Sequence, residues 1–318
     1  MTECVFIAGD WGSTNLRLYL CRLGSGQSAE VLASLSGPGV SGVKSDFEAV
    51  LFDLIGDWLE QYGPVPVILS GAVGSNIGWH EVAYLDCPAS PEQISNGTTK
   101  FTVRGLDIWI LSGLKTRTGL GAPDMMRGEE LQLLGWMFER EEHSEQIVVL
   151  PGTHNKWALV AEGQVQTFVT AFTGELYSLL EKNSILITQP LADNFSADYF
   201  MQGVELSKTL QAGQLLNALF TVRSRQIEGT LDAQHGASYL SGLLVGSDIV
   251  GSLGLLKNGT DSVDKIVLIG DSILVQAYQL ALESMNIESR ICDSNQIAIC
   301  GYQAIYKTLY KPLDREQS

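Results

Sequence analysis

Residues 5–8 are a short apolar run, and the seven that follow, Gly9-Asp10-Trp11-Gly12-Ser13-Thr14-Asn15, are mostly small or polar. Beyond them Leu16, Leu18 and Leu20 alternate with Arg17, Tyr19 and Cys21, the period of a strand with one buried face. The pattern predicts two adjacent strands gripping a polar turn. Residues 36–42, rich in Gly, Ser and Pro, read as a loop, and residues 46–62 as an amphipathic helix with Phe47, Leu51, Leu54, Ile55 and Trp58 at helical spacing. Residues 64–69 read as a buried strand, 80–105 as loop-rich, 108–111 as a short strand and 131–138 as a helix.

The second half opens on the same plan. A β-branched run at 146–150 enters Pro151-Gly152-Thr153-His154-Asn155-Lys156 and leaves through a second apolar run at 157–161. The recurrence after about 140 residues predicts a duplicated half rather than a short repeat. Helices are expected at 172–187, over much of 198–220, and at 236–256; a buried strand at 265–269 runs into Gly270-Asp271-Ser272 and a helix, and a last helix covers about 301–309. This is an α/β chain of two lobes, with the boundary expected between residues 1–128 and 129–318 and the last helix free to return to the first lobe.

Composition narrows the partners. Twenty Lys plus Arg stand against 36 Asp plus Glu, a formal net charge of −16, which argues against a broad basic face for nucleic acid or an anionic membrane. A phosphorylated ligand is still compatible, because a local nest of backbone N–H groups holds phosphate whatever the net charge. The 33 glycines are numerous, and several are expected where backbone approaches phosphate. The N-terminal segment lacks the basic start and long apolar stretch of a signal peptide, and no uninterrupted apolar run approaches the roughly 20 residues of a membrane span. Five cysteines, widely spaced and without a CxxC pair, read as reduced structural thiols, so a cytoplasmic location is expected.

Three segments carry chemistry. In the first turn Asp10 offers a hard oxygen ligand for a cation, Gly12 allows close backbone approach, and Ser13, Thr14 and Asn15 add hydrogen bonds. An ordinary hairpin turn uses the same residue types. In the second turn His154 and Lys156 join Gly152 and Thr153, and a cation there suits a transferring phosphoryl group. Taken singly, His154 reads as a structural histidine and Lys156 as a solvated one; their concurrence in one glycine turn favours the phosphate reading. In the third, Gly270 ends a strand before a helix, where a base or ribose can pack, although Asp271 and Ser272 also read as N-caps. The chain has neither a Walker GxxxxGK[ST] nor a protein-kinase HRD/DFG set.

These three elements resemble the phosphate-1, phosphate-2 and adenosine segments of the acetate and sugar kinase/Hsp70/actin superfamily. More closely, the chain resembles the 2-dehydro-3-deoxygalactonokinase family. The resemblance rests on Asp10-Trp11-Gly12-Ser13-Thr14-Asn15-Leu16-Arg17 and Gly71-Ala72-Val73-Gly74-Ser75-Asn76-Ile77-Gly78-Trp79. It continues through Met126-Arg127-Gly128-Glu129-Glu130-Leu131-Gln132, the second turn with Trp157, Thr173-Gly174-Glu175-Leu176, Phe195-Ser196-Ala197-Asp198 and Leu240-Ser241-Gly242-Leu243-Leu244-Val245-Gly246.

The resemblance implies two duplicated actin-like (ribonuclease H-like) lobes with a nucleotide cleft between them. It implies ATP and Mg²⁺ as cofactors, a sugar acid as the small-molecule partner, and phosphorylation of 2-dehydro-3-deoxy-D-galactonate in galactonate breakdown. Asp10 would hold the metal; Gly12, Ser13, Thr14, Asn15 and Arg17 would lie near the phosphates. Gly152, Thr153, His154 and Lys156 would face the β- and γ-phosphates, and Gly270 and Asp271 would border adenosine. Ser75, Asn76 and Trp79 would line the sugar-acid pocket. Glu129 is expected as the base, with Glu130 second, and Arg127 as a partner for the substrate carboxylate or of a structural ion pair. Another sugar, sugar-acid or pantothenate kinase of the superfamily, and a non-catalytic ATP-binding switch, are the alternatives. A homodimer is left open.

Overall fold

Strand β1 (Cys4–Trp11) is buried along nearly its whole length because the sheet around it is covered on both faces. The computed structural model describes residues 4–24, 29–43, 45–140, 144–189, 195–256, 265–270 and 272–310. β1 pairs antiparallel with β2 (Asn15–Leu23), whose Leu16, Leu18 and Leu20 point inward as their alternation requires, and β2 pairs with β3 (Glu30–Pro38). Residues 36–38, expected in a loop, instead finish β3 as an edge strand.

Helix α1 (Phe47–Tyr62) starts at Asp46, whose carboxylate caps the Ala49 N–H, and buries Phe47, Leu51, Ile55 and Trp58 against one face of the sheet. The chain continues through β4 (Val67–Ser70), β5 (Leu85–Asp86), α2 (Pro91–Asn96), β6 (Thr98–Val103), β7 (Leu106–Leu111), β8 (Leu114–Arg117), β9 (Pro123–Met126) and α3 (Glu129–Phe138). Residues 80–105 therefore carry more regular structure than their composition suggests. The sheet order is β3-β2-β1-β4-β7-β6, with β4 parallel to β1 and β7 parallel to β4.

The second half repeats this topology. It contains β10 (Gln146–Leu150), β11 (Asn155–Ala161), β12 (Gln164–Ala171), α4 (Thr173–Asn183), α5 (Ala197–Thr209), α6 (Leu215–Glu228), α7 (Gly236–Leu256), β13 (Lys265–Gly270), α8 (Ser272–Ser284), β14 (Glu288–Asp293) and α9 (Ser294–Leu309). Its sheet runs β12-β11-β10-β13-β14: an antiparallel meander of three, then two strands parallel to the first. That is the order of β3-β2-β1-β4-β7. The chain folds as two ribonuclease H-like lobes, each opening on a hairpin whose turn faces the same cleft.

Each sheet gives one face to its own lobe and the other to a shared core. Ile7, Leu69 and Ile108 pack on α1, whereas Phe6, Ala8 and Ile68 face α3 and α9. In the second lobe Ile147, Val149 and Leu268 pack on α5, α7 and α8, whereas Val148, Leu150 and Ile269 face α3 and α9. The two helices cross so closely that a Cβ on Gly135 would lie 1.9 Å from the Ile297 carbonyl oxygen, and one on Gly301 would lie 2.4 Å from that of Leu131. Gly203 and Gly242 mark a similar crossing of α5 and α7. Helix packing, as well as phosphate approach, accounts for the abundance of glycine.

α9 begins seven residues before the expected start. Its Tyr302 hydroxyl bonds Ser70 Oγ at 2.7 Å and its Tyr306 ring stacks on Phe6, both in the first lobe. On the opposite side the β8–β9 hairpin reaches β12: Thr116 Oγ1 bonds Thr167 Oγ1 at 3.0 Å, and Asp124 accepts from the Thr170 N–H and hydroxyl. α7 is, among the described residues, the one helix long and apolar enough to cross a membrane, a property not expected from uninterrupted apolar runs; it is mostly buried against α5 and its neighbours.

Candidate active site

The turn between β1 and β2 exposes its N–H side because its carbonyls are occupied elsewhere. The Gly12, Ser13 and Thr14 oxygens accept from the N–H groups of Val40, Ser41 and Gly39. Gly39 must be glycine, since a Cβ there would sit 2.2 Å from the Thr14 carbonyl carbon. Gly12 donates back to the Asn15 oxygen, and the N–H groups of Ser13 and Thr14 have no acceptor among the described residues. Ser13, Thr14, Asn15 and Arg17 are exposed. Such a turn can take an anion on its N–H side.

Asp10 is half-buried near the end of β1, beside Ser70 of β4 and opposite Arg17 of β2. Burial raises its carboxyl above the usual range, and nearby Glu129 raises it further against the lowering effect of Arg17. A carboxylate held at such a cost is relieved by a cation, and one carboxylate plus phosphate oxygens is an ordinary Mg²⁺ set. The described residues contain no cluster of three or more metal-ligating side chains, so phosphate and water would complete the shell. Gly71, at φ +92°, permits the approach behind Asp10: a Cβ there would lie 2.9 Å from the Trp11 oxygen and 3.1 Å from Asp10 Oδ1.

The turn between β10 and β11 uses the same device. The Thr153 oxygen accepts from the Glu175 N–H at 2.9 Å, and Gly174 at the start of α4 packs so tightly that a Cβ would meet the Gly152 oxygen at 2.2 Å. The N–H groups of Thr153 and His154 have no acceptor among the described residues, while the Gly152 N–H is held inside the turn by Asn155 Oδ1 at 2.6 Å. His154 Nε2 lies 2.6 Å from Glu175 and its ring stacks on Phe172.

A cleft of about 600 Å³ brings these pieces together. Its walls include Asp10, Gly12 and Arg17 from the first hairpin, Arg127 and Glu129 from the start of α3, Gly152, Thr153 and His154 from the second hairpin, and Gly270. Lys156 is almost fully buried and reaches Glu129 at 3.4 Å, an ion pair that joins the second hairpin to α3. Glu130 points away from the cleft. It is fully buried, one oxygen accepts the Gly128 N–H at 2.7 Å, the other has no partner among the described residues, and burial together with Glu129 pushes its carboxyl up to about 8. Arg127 lies over the Tyr84 ring and donates to the Val82 oxygen at 2.7 Å; among the described residues its partners are carbonyls, the Tyr84 hydroxyl and the Tyr84 ring, not an acid.

Ser75, Asn76 and Trp79 are not among the cleft-lining residues. Ser75 Oγ bonds the Ala72 oxygen, Asn76 is exposed, and Trp79 packs among Trp11, Phe47 and Phe101 behind the first turn. The loop nevertheless adjoins the cleft wall, because a Cβ on Gly74 would touch the Arg127 guanidinium at 2.8 Å. Asp271 lies outside the described residues.

Two features escaped the sequence reading. One is an apolar pocket of about 230 Å³ between α4, α7 and α8, walled by Leu244, Val245, Ile273 and Ala277, with Leu274 shared with the cleft. Its residues come from five separated stretches of chain, so no local motif announces it. The other is the buried Asp248 on α7, which meets the Asn155 side chain. An acid in an otherwise apolar helix was a visible signal for it.

The family described as 2-keto-3-deoxy-galactonokinase matches residues 10–305. The chain is 34% identical over 297 residues to the 2-dehydro-3-deoxygalactonokinase of Escherichia coli (strain K12), covering 92% of each. It is 33% identical over 313 residues to DgoK1 of Rhizobium meliloti (strain 1021), a candidate for the same activity, covering 97% of this chain and 99% of that one. A crystal structure of a candidate 2-dehydro-3-deoxygalactonokinase from Sinorhizobium meliloti superposes with a TM-score of 0.83 at 30% identity, over 96% of this chain and all of the other.

Proposed function

Because the chain belongs to the 2-keto-3-deoxy-galactonokinase family, we propose that it transfers the γ-phosphoryl group of ATP to the 6-hydroxyl of 2-dehydro-3-deoxy-D-galactonate, in galactonate breakdown in the cytoplasm. The observation that carries the catalytic reading is the convergence of two N–H-presenting turns, Asp10 and Glu129 on one cleft. The nucleotide lies across it: adenine in the apolar pocket beyond Leu274, Gly270 beside the adenosine, and the phosphates between the two turns, with Arg17 and His154 as nearby side chains. Mg²⁺ on Asp10 would neutralise phosphate charge as the bond to the leaving oxygen lengthens.

Glu129 accepts the proton of the attacking hydroxyl, and Lys156 holds it at the cleft wall. Glu130 stands outside this step because its carboxyl faces the interior. The sugar acid occupies the Arg127 side, its carboxylate reaching the cleft-lining guanidinium, with Ser75, Asn76 and the Trp79-supported loop beside it. The same reading sets the lobe boundary at Gly128 and Glu129, with α9 serving both lobes. Closure around the substrates excludes water and limits futile ATP hydrolysis.

A coupled ADP-release assay with Mg²⁺-ATP against a panel of keto-deoxy sugar acids, plain sugars and pantothenate tests the reaction. Turnover with 2-dehydro-3-deoxygalactonate well above every other acceptor is expected, and Glu129→Gln should lower kcat by about 10²–10⁴ with smaller changes in KM. Preference for another acceptor would overturn the substrate; ADP release indifferent to every acceptor would overturn the kinase reading.

A further inference from the structure

Asp248 sits near the middle of α7, 7% exposed, on a helix whose other buried positions are almost all apolar or glycine. A buried carboxylate is costly unless its oxygens are hydrogen-bonded, and here four side chains converge on it. Oδ1 accepts from Ser252 at 2.8 Å; Oδ2 accepts from Asn155 Nδ2 at 2.8 Å, from Thr173 Oγ1 at 3.0 Å, and from the Tyr278 hydroxyl in a short contact. The cleft chemistry described above gives none of these groups a role.

The consequence lies in Asn155. A side-chain amide can be turned end for end at little steric cost, and its neighbours decide the orientation. An ionised carboxylate only accepts, so Asp248 requires the Asn155 NH₂ to face it. That leaves Asn155 Oδ1 facing the Gly152 N–H, which it binds at 2.6 Å. The same carboxylate oxygen holds Thr173, the first residue of α4, and α4 presents the Glu175 N–H that occupies the Thr153 oxygen. Both supports of the second turn, one from inside and one from outside, therefore end on a single oxygen of Asp248. Tyr278 brings in α8, which with α7 walls the apolar pocket.

We infer that Asp248 is a positioning residue: through Asn155 and Thr173 it holds the Gly152–His154 turn with its open N–H groups on the cleft. The inference rests on the nucleotide reading of the cleft, but not on the identity of the sugar acid.

Binding of ADP and of adenosine to Asp248→Asn, Asn155→Asp and the exchanged double variant, measured by calorimetry beside thermal melts, tests it. Asp248→Asn lets the Asn155 amide turn over, and Asn155→Asp sets two acceptors face to face. Each should weaken ADP at least tenfold while changing adenosine less than threefold. The double variant restores one acceptor facing one amide and should recover most of the ADP affinity. Should either single variant fail to fold, Tyr278→Phe removes one donor to Asp248 and the second acceptor of the Asn155 amide without removing the acid, and should weaken ADP about three- to tenfold. Equal losses for ADP and adenosine, or a lowered Tm with ADP affinity unchanged, would mean that the network only braces the lobe and would overturn the inference. A wild-type protein that binds ADP yet phosphorylates no sugar acid would count against the proposed reaction alone, and the ADP-to-adenosine contrast would still decide the role of Asp248.

Discussion

Glu129 and Glu130 are adjacent, equally charged in solution, and opposite in surroundings. Sequence could rank them only by their distance from Gly128; the start of α3 separates them, turning one toward Lys156 and the cleft and the other into the core. For Glu130 the folded carboxyl is raised from 4.5 to about 8, so its contribution to stability is present in full below about 4.5 and is lost as pH rises through about 8. Glu130→Gln mimics the protonated acid, and melting curves across pH should show its advantage over the wild type growing from pH 6 to pH 9. Asp10 obeys the same sign: its raised carboxyl is a stability cost at neutral pH. Asp10→Asn should therefore raise the melting temperature of the ligand-free protein while abolishing most Mg²⁺-dependent turnover, a pairing checked by calorimetry and the coupled assay. Asp10, Gly12, Gly152 and Thr153 were singled out because their residue types suit phosphate, and the fold brings all four to one cleft. Trp79 packs behind the first turn, a place that an aromatic beside a polar loop suits as well as it suits a sugar platform.

At the scale of elements, alternation and β-branched runs located the strands that carry the site, and their turns followed. The misses have local causes. α2 opens on Ser90 and Pro91 with Gln93 completing a capping box, a signal hidden by the polar composition around it. α9 begins at the Asp293 cap, whose carboxylate holds the Gln296 N–H, whereas the apolar run suggested a start at Gly301. The contact of the β8–β9 hairpin with β12 has no local signature, because the partners are more than 40 residues apart. One of the tightest junctions in the site is between α4 and the second turn. Gly174→Ala places a methyl group where only 2.2 Å separates it from the Gly152 oxygen, so α4 must withdraw and release the Thr153 carbonyl. We expect KM for ATP to rise at least tenfold with a loss of stability of about 1–3 kcal/mol, read from kinetics and denaturant unfolding of one preparation.

For the molecule as a whole, the recurrence of a strand–turn–strand plan was enough to predict two lobes, but the core between them was not foreseeable. It is assembled from both sheets, α3 and α9, elements far apart in sequence. A ligand bridging the cleft joins parts that otherwise meet mainly through that core and the β12 contacts. Mg²⁺-ATP at about 100 times its dissociation constant should stabilise the fold by about 2.7 kcal/mol, visible as a melting temperature that climbs with nucleotide concentration. A melting temperature indifferent to nucleotide would sink the cleft as an ATP site.

The placement of α9 also has a consequence for synthesis. Residues 294–309 leave the ribosome after every described strand of both sheets, yet they cover Phe6 and Ile68 of the first sheet and Val267 and Ile269 of the second. Each nascent lobe must therefore wait with one apolar face incompletely covered, the first through the translation of nearly two hundred residues beyond its last strand. During that interval the two half-dressed sheets are each other's nearest apolar surface and also a target for chaperones. The helix that finally separates them acts as the closing wedge of the whole assembly.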